Sequence, residues 1–138
     1  MDLQGKKVYL VEDNVDNIYV LLALFRKYGM STIVDWFAKG NARKLLKSLP
    51  VDLIALDLML PGSRSGYDIF QELRQLSELD DIPIIAISAT EPSLGIAKTQ
   101  ELGFSGFIGK PIDYDLFPRQ LEAILEGKKI WNDDPDRL

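Results

Sequence analysis

The chain predicts an α/β fold, a doubly wound five-stranded parallel sheet. Three observations carry that prediction. Short apolar runs alternate five times with segments whose apolar residues recur at helical spacing. The runs at 53–56 and 84–87 are apolar at every position, as strands covered by helices on both faces require. Four runs end at polar residues, and right-handed crossovers bring the carboxyl ends of parallel strands to one edge.

The elements follow in order. Val8-Tyr9-Leu10-Val11 reads as the first strand, closed by Glu12-Asp13-Asn14. Ile18, Leu21, Leu22 and Phe25 then share one helix face, and Gly29 provides a stop. Residues 32–38 are β-branched and aromatic, hence a second strand, and Asp35 within it points to a sheet edge. Gly40-Asn41 turns the chain into a short second helix bearing Ala42, Leu45, Leu46 and Leu49. The third strand, Leu53-Ile54-Ala55-Leu56, runs into Asp57 and a loop from Pro61 to Gly66. Ile69, Phe70, Leu73 and Leu76 define the third helix. Asp80-Asp81 turns into Pro83-Ile84-Ile85-Ala86-Ile87, a fourth strand ended by Ser88. Leu94, Ala97 and Leu102 mark a weaker fourth helix that stops at Gly103. Gly106-Phe107-Ile108-Gly109 is a short fifth strand, closed by Lys110-Pro111. Asp113 is placed to cap a last helix with Leu116, Phe117, Leu121, Ile124 and Leu125, ended by Gly127. Residues 1–127 therefore form one domain. Residues 128–138 form a polar C-terminal tail whose Ile130-Trp131 either docks on the body or on a partner, or stays mobile.

Composition narrows the chemistry. The 138 residues carry a net charge of −5 and contain neither cysteine nor histidine. Disulfides, thiolate nucleophiles, imidazole proton shuttles and ordinary zinc sites are excluded. The acidic balance argues against nucleic acid or an anionic membrane as partner. No signal-like region or membrane-length apolar run is present, so the expected location is cytoplasmic.

Shared strand ends bring Glu12, Asp13, Asp57, Ser88 and Lys110 to one patch. Each residue has a plain alternative: Glu12-Asp13 as a turn and helix cap, Asp57 as a turn cap, Ser88 as a turn former, Lys110 as surface. Together they point to chemistry. Two carboxylates about 4 Å apart repel by roughly 1 kcal/mol in water and about 4 kcal/mol at an effective dielectric near 20. Lys110 offsets one unit, which leaves a hard cation such as Mg²⁺ as the natural partner. With Mg²⁺ and Lys110 beside it, an Asp carboxylate can attack a phosphoryl group and become an aspartyl-phosphate.

The motifs Val11-Glu12-Asp13-Asn14, Leu56-Asp57-Leu58-Met59-Leu60-Pro61, Ser88-Ala89-Thr90 and Lys110-Pro111 carry a resemblance. From Lys6 to Gly127 the chain resembles a two-component response-regulator receiver domain of the chemotaxis-regulator type. The resemblance implies a flavodoxin-like (βα)5 sheet of strand order 2-1-3-4-5. It implies that Asp57 accepts phosphate from a histidine kinase or histidine phosphotransfer protein. Mg²⁺ would be held by Glu12, Asp13, Asp57 and the backbone carbonyl of Met59. Lys110 would pair with the phosphoryl group, with a cis bond to Pro111. Ser88 would swing to the phosphate and Phe107 turn inward after it. A downstream effector would read the face made by the fourth helix, fifth strand and fifth helix, the protein being a monomer or a phosphorylation-dependent dimer. With no output module expected after Gly127, the chain reads as a stand-alone regulator rather than a turnover enzyme.

Three departures stand out. The loop Pro61-Gly62-Ser63-Arg64-Ser65-Gly66 is one residue longer than the common spacing, Phe107 replaces the more frequent Tyr, and an apolar Met59 faces the expected path of attacking water beside Thr90. The last predicts slow self-dephosphorylation. Among rivals, a haloacid-dehalogenase-type phosphatase needs an acid two residues after the nucleophile, where Met59 stands. A flavodoxin-like flavin carrier needs a phosphate-binding loop where Glu12-Asp13 stands. An unphosphorylated docking scaffold is the remaining alternative.

Overall fold

In this computed structural model, residues 2–36, 42–60, 62 and 64–136 are described. Strand residues alternate between two apolar layers, as the period of two in a pleated strand demands. From β1 (Lys7–Val11), Val8 and Leu10 enter one layer, and Tyr9 and Val11 the other. β3 (Leu53–Leu56) and β4 (Ile84–Ser88) are buried throughout, so they are the central strands. α1 (Val15–Lys27) and α5 (Phe117–Leu125) cover the first layer, where the Phe25 and Phe117 rings lie 5.7 Å apart. α2 (Arg43–Ser48) and α3 (Gly66–Leu73) cover the second, through Leu45, Ile69, Phe70 and Leu73. α4 (Pro92–Leu102) packs beside α3 on β5 (Gly106–Gly109).

All neighbouring strands are parallel, and the expected order 2-1-3-4-5 is present with one addition. β2 (Ser31–Asp35) is an edge, and beyond β5 a short β6 (Ile130–Trp131) makes the sheet six-stranded rather than five-stranded. Ile130 and Trp131 thus belong to the sheet, with Ile130 buried in the first layer and Trp131 packed on the second.

Four local expectations change. β2 ends at Asp35 instead of reaching residue 38, and the Gly40-Asn41 turn lies outside the described residues. Leu76 lies past the end of α3. In α4 only part of the expected core face is turned inward: Leu94 is 69% exposed and Ala97 is exposed, while Leu102 packs on the second layer and Gly95 and Thr99 are buried. The Phe107 ring explains this, because a Cβ on Gly95 would sit 2.4 Å from its Cε2. Only the smallest residue lets α4 approach β5. Finally, Asp113 caps the turn ahead of α5, accepting from the Asp115 and Leu116 amides at 3.0 and 3.1 Å.

Two features tie the fold to the strand ends. Ser65 and Asp68 form a reciprocal capping box at the start of α3, which presses Gly66 against the chain behind Asp57. A Cβ on Gly66 would lie 2.2 Å from the Asp57 carbonyl oxygen. At the other edge, the Tyr9 hydroxyl donates to the Asp35 carboxylate in a buried pair. Burial first, then the Asp35 hydrogen bond and charge, pushes the Tyr9 phenol far above its ordinary value.

Gly66→Ala is expected to cost about 2 kcal/mol, the usual penalty for overpacking against backbone, read as a lower urea midpoint. A raised folded-state pKa stabilises the protein below the ordinary tyrosine range, and that contribution is lost as pH rises through it. Stability should therefore fall above about pH 10, with a shallower fall in Tyr9→Phe, measured by denaturant titration across that range.

Candidate functional site

Backbone hydrogen bonds continue the sheet past its strand ends and so fix the first polar residue of each. The Asp57 amide donates to Val11 O at 3.0 Å, the Glu12 amide to Asp35 O at 3.2 Å, and the Lys110 amide to Ser88 O at 2.9 Å. Four strands therefore deliver their side chains to one place, at the end of the sheet where ligands of open parallel folds bind.

Glu12 is 1% exposed and spends both its oxygens. One accepts from the Asp13 and Asn14 amides at 3.1 and 3.3 Å; the other accepts from Lys110 Nζ at 2.6 Å. The same Nζ lies 3.6 Å from Asp57 Oδ2. Asp57 Oδ1 accepts from the Met59 amide at 3.1 Å, which leaves Oδ2 on the side of the ammonium. Asn14 caps α1 by accepting from the Asn17 amide at 3.0 Å, so the acidic turn is held at a helix start.

One carboxylate oxygen each from Glu12, Asp13 and Asp57 lies within 4.8 Å of the others. Burial pushes the Glu12 carboxyl up, the Lys110 hydrogen bond pulls it down, and contact with Asp57 raises it again; the net direction is up. One ammonium therefore does not satisfy the cluster. Oxygen donors at this spacing fit a small hard divalent cation.

Ser88 is fully buried at the end of β4, its Oγ 2.9 Å from Thr90 Oγ1 and accepting from the Thr90 amide at 3.2 Å. Its hydroxyl is thus committed to Thr90, while the three acids and Lys110 already meet. Phe107 is fully buried and already inward, its ring against Gly95 of α4. The Lys110-Pro111 bond is cis. Met59 is 63% exposed and offers an apolar side chain beside Asp57. One neighbour had no signal in the sequence: Asn132, in the polar stretch after β6, accepts from the Gly109 amide at 2.8 Å.

Lys110→Met would leave Glu12 and Asp57 unopposed, at a cost of about 2 kcal/mol. Glu12 holds its proton more tightly folded than unfolded, so its ionisation removes stability as pH rises above its ordinary 4.5. The deficit measured in EDTA should accordingly be larger at about pH 7 than at about pH 5, and Mg²⁺ should recover part of it at the higher pH.

Comparison with known proteins agrees with this geometry. The family model described as the response regulator receiver domain matches residues 8–122. The chain is 27% identical over 135 residues to the sensory transduction protein BceR of Halalkalibacterium halodurans, covering 96% of this chain and 55% of that protein. It is 30% identical over 135 residues to the DNA-binding response regulator MtrA of Mycobacterium bovis, covering 97% of this chain and 55% of that protein. This chain thus spans about half the length of those two curated relatives. Among solved structures, the chemotaxis protein CheY4 of Vibrio cholerae superposes with a TM-score of 0.76 at 18% identity, over 87% of this chain and 98% of that one. The strand order, the acid cluster at the strand ends and the family match converge: the chain belongs to the response regulator receiver domain family.

Proposed function

We propose that Asp57 accepts a phosphoryl group from the phosphohistidine of a histidine kinase or phosphotransfer protein, and that the chain passes the signal on by contact with an effector. Family membership supports the coarser statement, a phosphoryl-accepting two-component regulator. The observation that carries the finer one is the Lys110 ammonium, 2.6 Å from Glu12 and 3.6 Å from Asp57, inside a cluster of three carboxylates.

Asp57 Oδ2 faces the ammonium and is the attacking atom. It bonds to phosphorus as the P–N bond breaks; the imidazole leaves with the electron pair and is protonated. Glu12, Asp13, Asp57 and the Met59 carbonyl would hold Mg²⁺, which would supply charge neutralisation for the transferring oxygens. Lys110 gives up Glu12 to pair with a phosphoryl oxygen, and Ser88 exchanges Thr90 for another. Those exchanges bias the face of α4, β5 and α5, where Phe107 and Gly95 interlock. Receiver domains of this kind are signalling switches, not turnover enzymes.

Partner recognition has a physical basis beside the site. Val15, Tyr19 and Val20 on α1 and Tyr114 after Pro111 are exposed at 48, 68, 43 and 62%. Of these, Val20 and Tyr114 line a small groove with Pro111 and Ile112 that reaches Lys110. An apolar patch rimming a reactive site suits a helical phosphodonor. No helix among the described residues is long and apolar enough to cross a membrane, in keeping with a cytoplasmic setting for this exchange.

Treatment with acetyl phosphate and Mg²⁺ is expected to add the mass of one phosphoryl group to wild type and none to Asp57→Asn. Equal labelling of both would overturn the assignment of Asp57. Because Met59 shields the phosphoryl group without positioning water, the label should persist for minutes or longer in purified protein; complete loss within seconds would contradict that role.

A further inference from the structure

The strand of the C-terminal arm stops beside the end of β5. Ile130 and Trp131 pair with Gly106 and Phe107, and then the strand stops. Asn132 takes a left-handed conformation with φ 57°, the one positive φ outside glycine among the described residues. Asn is the side chain that best tolerates this, and the conformation persists only where neighbours enforce it. Here two hydrogen bonds do so. The Asn132 amide donates to Phe107 O at 2.7 Å, and its Oδ1 accepts from the Gly109 amide at 2.8 Å.

The second bond completes a sheet edge. The Gly109 amide points away from β4, where β6 has already ended, and the Asn132 side chain supplies the acceptor that a third residue of β6 would have offered. Gly109 also makes room, since a Cβ there would lie 3.3 Å from Oδ1. From the other side, the Lys110 amide is held by Ser88 O at 2.9 Å. The root of the Lys110 side chain is therefore gripped from both flanks. The arm itself is anchored to α5: buried Gln120 donates to Asp133 O at 3.0 Å, and Arg119 pairs with Asp134 and Asp136 at 2.9 and 2.8 Å.

We propose that Asn132 is a positioning residue for Lys110, holding the end of β5 so that the ammonium reaches both Glu12 and the phosphoryl group arriving on Asp57. The inference rests on the assignment of Asp57 as acceptor. The reason is preorganisation. A lysine stem has four rotatable bonds, so the placement of its tip is inherited from its backbone, and small misplacements of a catalytic group are expensive.

The test is a double-mutant cycle on the second-order rate of Asp57 labelling by acetyl phosphate in saturating Mg²⁺. Asn132→Gly keeps the left-handed backbone and the bond to Phe107 and removes only the Oδ1 acceptor. It is expected to slow labelling about tenfold, while Asn132→Asp, which retains an acceptor, stays within about twofold. In a Lys110→Ala background, Asn132→Gly should add less than about twofold. A purely structural role would slow both backgrounds by the same factor and would overturn the proposal, as would full activity of Asn132→Gly. Rates are compared well below each variant's Tm; if Asn132→Gly melts too early, Asn132→Ser, whose hydroxyl is too short for Gly109, takes its place in the cycle. Absence of labelling in wild type would instead overturn the assignment of Asp57.

Discussion

The half-buried ammonium of Lys110 is the constraint around which the site is built. Glu12 and Asp57 follow the ends of β1 and β3, two neighbouring hydrogen-bonded strands, so their carboxylates are forced together by the same register that makes the core. Removing either from water is costly without a counter-charge. Lys110, from a strand two places from β3 and three from β1, provides it with one bond at 2.6 Å and one approach at 3.6 Å. The unequal distances matter. Glu12 holds the ammonium more closely and leaves it within ion-pair reach of Asp57.

The sheet supplies rigidity and the loops supply the reactive groups, a division common to parallel α/β folds. Residues such as Tyr9 and Val11 anchor β1 in the second apolar layer, while the next residue, Glu12, turns into the acid cluster. Gly66 brings the start of α3 within touching distance of the Asp57 carbonyl, so the turn carrying Asp57 is backed by a helix end rather than by solvent. Strain or loosening in either place would be felt at the carboxylates directly.

The acids and the lysine were legible in the sequence because each polar side chain follows an apolar run, and topology alone then brings those ends together. What escaped was geometry decided by volume or by single hydrogen bonds. The inward face of α4 is centred on Gly95 and Thr99, since the Phe107 ring takes the space a larger residue would need, and Ile96 and Leu102 beside them are too few to mark that face by apolar periodicity. β6 is two residues long, too short for any alternation to register. The bond of Ser88 to Thr90 and that of Gly109 to Asn132 depend on side-chain orientation, which spacing does not encode.

The brevity of β6 has a consequence of its own. A sheet that ended at β5 would present unpaired amides and carbonyls to any passing extended chain, the common route to edge-to-edge association. Two residues of β6 cover that row, and then Asn132 bends the backbone out of line and Asp133, Asp134 and Asp136 follow with negative charge. The outermost strand is thereby too short to template another, and the chain beyond it is tied back onto α5 through Arg119.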